Sequence, residues 1–165
     1  MKYTYIAIFF LSLFACKRNT KDPSAIGDEA FSILQKLDSE NSEIIKNHIP
    51  ELQDFRKAGE DEDFITNEVD KNSYLSFSLE SYEAYLKSTS KDLNDIYTEG
   101  IDNKISWNAI KKKDFTYKFN EGSYSFSGLL VFTFEEKEFT VNVNGIKLLN
   151  GWNLARIENI KINRK

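Results

Sequence analysis

One cysteine, one histidine, one methionine, two prolines and seven glycines are all the special residues that 165 positions hold. A lone cysteine forms no intramolecular disulfide, and with a single histidine it leaves no ligand set for a Cys/His zinc site and no Cys/His nucleophile. No metal or cofactor is therefore expected, and no catalytic residue is assigned. An excess of basic charge is missing too. The net charge of −4 lacks the basic surface that nucleic acid requires. Aromatics, in contrast, make up 14% of the chain, with 13 Phe and 8 Tyr. With so little Gly and Pro beside them, they imply an ordered aromatic core rather than a disordered stalk.

The cysteine, Cys16, closes the most hydrophobic stretch of the sequence. Lys2 supplies a positive start, and Tyr3 to Ala15 (YTYIAIFFLSLFA) is an apolar run of 13 residues ending on a small residue. Such a run fits a signal-peptide core and falls short of the roughly 20 residues that cross a bilayer. Leu13-Phe14-Ala15-Cys16 resembles the lipobox of bacterial lipoproteins, with Phe14 bulkier than that family usually places before the small residue. The resemblance implies a diacylglyceryl group on the Cys16 thiol and cleavage just before it. Two or more acyl chains anchor stably, whereas one binds a membrane only marginally. Lys17 and Arg18 stand where an inner-membrane retention signal would place Asp, which favours the periplasmic face of an outer membrane, or the cell surface where there is a single membrane.

The expected organisation is thus a leader over residues 1–15, a lipidated cysteine and tether over 16–23, and one globular domain over 24–165. Cleavage leaves 150 residues with 21 basic and 26 acidic side chains, net −5. That length suits one domain able to bury roughly 70% of its unfolded surface.

Within the domain the apolar period is first helical. Asp22-Pro23 is a capping acid before a proline suited to the first helical turn, and Ile26, Ala30, Ile33, Leu34, Leu37, Ile44, Ile45 and Ile49 trace one face up to Pro50. A second helix over 51–58 turns Leu52 and Phe55 inward, with Gly59 placed to end it. The acidic run EDED at 60–63 lacks the order of a calcium loop and is expected to be a solvated loop. SYLSF at 73–77 has the alternation of a strand. Ser78 caps a further helix, with a break expected at STSKD (88–92) and an end at Gly100.

From Ile105 onward the period is two. Phe115, Tyr117 and Phe119 alternate, as do Tyr124, Phe126, Leu130, Phe132 and Phe134, then Phe139, Val141 and Val143. Asn150-Gly151 is a hairpin signal, and phase slips near Gly145 and Ala155-Arg156 predict bulges. The expected fold is α+β, with N-terminal helices packed on one face of a curved C-terminal antiparallel β-meander of about four strands. The order, together with the ending NGWNLARIENIKI, resembles the nuclear transport factor 2-like, cystatin-like cone domains. In those families a cavity lined by the sheet commonly holds the site.

Candidate sites follow. His48 belongs at the end of the first helix, where imidazole suits the helix dipole. Lys111-Lys112-Lys113 reads as a solvated edge or loop, with Asp114 as a local ion-pair partner. Trp107, Tyr117, Tyr124, Phe126, Phe132 and Trp152, with Phe134 and Phe139, could line an aromatic cavity or simply form core. The expected function is a non-catalytic binding or protein-interaction module held at a membrane by its lipid, with an envelope protein as its partner. The alternatives are a cone-fold enzyme or small-ligand binder using the cavity, and an inhibitor or immunity-type lipoprotein.

Overall fold

A computed structural model describes residues 22–163. The leader, Cys16 and the tether up to Lys21 lie outside the described residues. Four helices precede four strands: α1 (Pro23–Leu34), α2 (Leu52–Glu60), α3 (Glu68–Leu75) and α4 (Leu79–Asp102), then β1 (Lys111–Phe119), β2 (Ser125–Phe134), β3 (Lys137–Leu148) and β4 (Gly151–Asn163). The strands form one antiparallel meander in chain order, so β1 and β4 are its edges. The fold is α+β, with N-terminal helices and a C-terminal meander.

The N-terminal cap forms as the residues require: Ser24 N–H donates to Asp22 Oδ1 at 2.9 Å, with Pro23 in the first turn. The long first helix does not. It stops at Leu34, turns follow, and a 3-10 helix over Ser42–Asn47 buries Ile44 and Ile45. Ser39 and Asn41 mark the break, because short polar side chains compete for backbone groups: Ser39 Oγ donates to the Lys36 carbonyl at 3.1 Å, and Asn41 Oδ1 accepts the Glu43 N–H at 3.0 Å. The gap of seven between Leu37 and Ile44 is a break, not two uninterrupted turns.

SYLSF is helix and turn rather than strand. Asn67 caps α3 by accepting the Val69 N–H at 2.8 Å, and Glu68 and Asp70 favour its first turn. Tyr74 and Phe77, three apart, both reach the Phe55 ring, at centroid distances of 6.2 and 5.2 Å. STSKD does not break α4 either. Thr89 Oγ1 donates to the Leu86 carbonyl at 2.9 Å within the helix, and Thr89 and Ser90 are buried.

Neither expected glycine ends its helix. Gly59 lies inside α2, where a Cβ would come within 3.0 Å of Leu75 and Tyr74. A Cβ on Gly100 would fall 2.2 Å from Trp107 Cζ2. Two bonds close α4 two residues past Gly100: Ile105 N–H to the Gly100 carbonyl at 2.8 Å and Lys104 N–H to the Ile101 carbonyl at 2.9 Å. The left-handed residue of this motif is Lys104, with φ 58°.

The bulge foreseen at Gly145 and at Ala155-Arg156 is a single feature. Asn144 pairs with Arg156 and Gly145 with Leu154, leaving Ala155 extra in β4. A second bulge opposite Val141 leaves Asn159 left-handed at φ 58°, and β1 slips at Lys113. Three irregularities bend and twist the sheet. Its inner face presents Phe126, Leu130, Phe132, Phe139, Val141, Val143, Leu154 and Ile157, all buried. Onto them α1 packs Ile26, Ala30, Ile33 and Leu34, while α4 adds Leu93 and Ile96. The helices are not all on that face. Phe55 and Ala58 of α2 pack on Leu148, with Ile146 beside it, and these residues of β3 alternate with the inner ones.

Candidate functional site

The aromatic residues separate into three places. Trp107 and Phe132 are fully buried, their centroids 6.1 Å apart, and Phe132 stacks on Phe139 at 5.5 Å. This is dry core. Tyr117, Phe126 and Trp152 come together at the opposite end of the inner face, with centroids of 5.5 Å for Tyr117 to Phe126 and 5.3 Å for Phe126 to Trp152. Phe119 joins them, 5.4 Å from Trp152. Tyr124 belongs to neither group and packs on Phe64 at 5.1 Å. The six rings thus fall in three places rather than one. Alternation told their face but not which end α1 covers.

A cleft of about 350 Å³ opens instead where α2 and α4 meet the sheet, lined among others by Phe55, Phe77, Tyr85, Asn120, Phe126 and Ile146. Only Phe126 belonged to the expected set. Phe77 was hidden by the strand assignment of its segment, and Tyr85 by its place on an ordinary helical stripe. The Tyr85 hydroxyl donates to the Ala155 carbonyl exposed by the bulge. Burial pushes its phenol well above the usual tyrosine range, outweighing the opposing pull of Arg156. No carboxylate or imidazole lines this cleft.

A trough of about 450 Å³ lies on the face of the sheet opposite α1, lined among others by Thr116, Tyr117, Lys118, Leu129, Asn142, Asn144 and Glu158. Its one carboxylate is engaged. Glu158 accepts from Asn144 Nδ2 at 3.1 Å and lies 3.0 Å from Arg156 Nε. Arg156 also binds Asp92 of α4, Nε to Oδ2 at 2.6 Å, and donates to Ser88 Oγ at 3.0 Å. This half-buried network ties α4 to β4. Its only trace in the sequence is a charged residue sitting at a phase slip.

His48 follows the 3-10 helix, not the end of a long one, and its Nδ1 lies 2.7 Å from Glu29 Oε1 of α1. The pair bridges two segments that the helix break separates. Lys111, Lys112 and Lys113 open the edge strand, as the solvated reading expected. Lys112 reaches Asp28 at 2.5 Å and Lys113 reaches Glu138. Asp114 instead accepts the Phe115 N–H at 2.8 Å. In the acidic run, Asp61 caps the turn by accepting from Asp63 and Phe64 N–H. Among the described residues, no group of three His, Cys, Asp or Glu side chains is placed to hold a metal. No helix among them is long and apolar enough to cross a membrane.

No protein-family model, curated protein or solved structure matches the chain.

Proposed function

We propose that this chain is an exported lipoprotein, acylated on Cys16 and held at the periplasmic face of an outer membrane, whose cone-like domain is a non-catalytic module that binds an envelope protein. Support for the anchor comes from Leu13-Phe14-Ala15-Cys16 at the end of a 13-residue apolar run. One observation carries the binding role. The trough on the sheet face opposite α1 offers hydroxyl and amide groups around the exposed Leu129, and its single acid is already held by Arg156 and Asn144. Surface recognition needs hydrogen bonds around an apolar contact, and the trough supplies both.

The cleft beside Tyr85 favours a second function, capture of a small apolar ligand among Phe55, Phe77 and Phe126. Crosslinking of the lipidated protein in its native envelope separates the two. A specific envelope protein, crosslinked by the wild type and lost with Leu129→Arg, is expected. A small-molecule thermal shift with measurable turnover, and no crosslink sensitive to Leu129, would refute the binding role.

A further inference from the structure

The half-exposed aromatic end of the sheet lies where the tether enters the fold. Three contacts fix the direction of α1 and its continuation against β1. Asn108 N–H approaches Asp38 Oδ2 at 3.4 Å, Lys112 reaches Asp28 at 2.5 Å, and Gly27 lies under the Phe115 ring, where a Cβ would come within 2.4 Å of Cδ1. Residue numbers fall along α1 as they rise along β1, so the two run antiparallel. One helical turn back from Gly27, about 6 Å, brings the chain to Pro23; two residues on from Phe115, about 6.6 Å, bring β1 to Tyr117. The chain therefore enters the fold at the end that carries Tyr117, Phe119 and Trp152.

Those three rings form a continuous surface. Tyr117 is 39% and Phe119 53% exposed, Trp152 is half-buried, and the Tyr117–Phe119 centroids lie 5.5 Å apart. Exposed Lys147 stands directly across from Trp152 in the sheet, and Glu121 at the β1–β2 turn is the acid nearest in sequence. Between Cys16 and Pro23 lie six residues, Lys17 to Asp22, three of them basic. Fully extended they span about 20 Å.

We infer that Tyr117, Phe119 and Trp152 dock in the head-group layer of the bilayer that holds the lipid of Cys16, fixing the orientation of the domain; this rests on the lipoprotein assignment above. Tyr and Trp are the side chains that favour the membrane interface, with an apolar body and a polar tip. The short tether confines them near it, and Lys17, Arg18, Lys21 and Lys147 complement anionic head groups.

The chain has only two tryptophans, so fluorescence tests the inference directly. Purified full-length mature protein is reconstituted into vesicles of phosphatidylethanolamine and phosphatidylglycerol, with and without bromine on the upper acyl carbons. Bromolipid is expected to quench Trp152 and to leave buried Trp107 unaffected, so that Trp152→Phe abolishes the quenching. Tyr117→Ser with Phe119→Ser should remove it too while the protein still floats with the vesicles, and unchanged Trp107 emission certifies the fold. Acylated protein that floats without any quenching overturns the docking alone. Mature protein whose N-terminal peptide carries no acyl mass overturns the lipoprotein assignment and the docking with it.

Discussion

The two ends of the inner sheet face are built from the same kinds of residue and differ in what lies over them. At one end Trp107, Phe132 and Phe139 are sealed beneath the helices. At the other, Tyr117, Phe119 and Trp152 make equally close ring contacts yet stay partly in water. Burial stabilises roughly in proportion to the apolar area removed from water, so the first end contributes more to the stability of the fold than the second. Ring proximity alone does not distinguish core from site.

The sharpest way to break this comparison is to truncate one tryptophan from each end. Trp107→Ala empties the space under Gly100 and should cost about 3 to 5 kcal/mol. Trp152→Ala, which starts half-buried, should cost only about 1 to 2 kcal/mol. Urea denaturation of both variants measures the difference. Equal costs would mean that the tether end is core as well.

Legibility in the sequence divides along the same line. Strand period, turn glycines and the bulge at Ala155 could be read because β alternation is local, and a phase slip shows as two neighbouring apolar residues. Helix limits were harder. α1 ends at Leu34, ahead of the exposed Asp38, Ser39 and Asn41, whereas Thr89 and Ser90 pass through α4 with their side chains buried. Gly100 could not be assigned from sequence because its role is set by Trp107, seven residues on, folding back over it. The cleft was invisible for a related reason. It needs Phe55, Tyr85 and Phe126 from three elements, and no local pattern places them together.

A smaller effect sharpens the comparison at the boundary between the ends, where Tyr85 and Phe126 share the cleft wall. Burial raises the Tyr85 pKa in the folded protein above the unfolded value of about 10. Below pH 10 both states keep the proton, and its contribution to stability is fully present. As pH rises from about 10 toward the folded pKa, the unfolded state loses the proton first, and stability falls by up to about 1.4 kcal/mol per pH unit. Tyr85→Phe should therefore flatten the alkaline limb of the stability profile, at a cost near neutral pH of about 1 kcal/mol for the lost bond to Ala155. Denaturation curves from pH 7 to about 11 test this. Parallel profiles for the two proteins would place Tyr85 in water.

The smallest expected effect concerns where each end uses glycine. At the tether end, left-handed turn positions are held by Gly122, φ 69°, and Gly151, φ 105°, where a missing Cβ removes the strain. At the sealed end, left-handed positions fall to Lys104, φ 58°, Asn159, φ 58°, and Glu135, φ 54°, in the β2–β3 turn, while glycine serves close packing at Gly100 as Gly145 does against Phe126 at the other end. A side chain there costs roughly 1 kcal/mol or more, which glycine would relieve, less the extra freedom that glycine gives the unfolded chain. Glu135→Gly and Lys104→Gly should each stabilise by about 0.5 kcal/mol, since both side chains are exposed or half-exposed and leave little packing behind. Gly122→Ala, in open space but left-handed, should destabilise by a similar or somewhat larger amount. The three melting temperatures, measured together, decide whether backbone strain is stored at the sealed end; a loss of stability in both glycine variants would show that Lys104 and Glu135 contribute contacts that outweigh it.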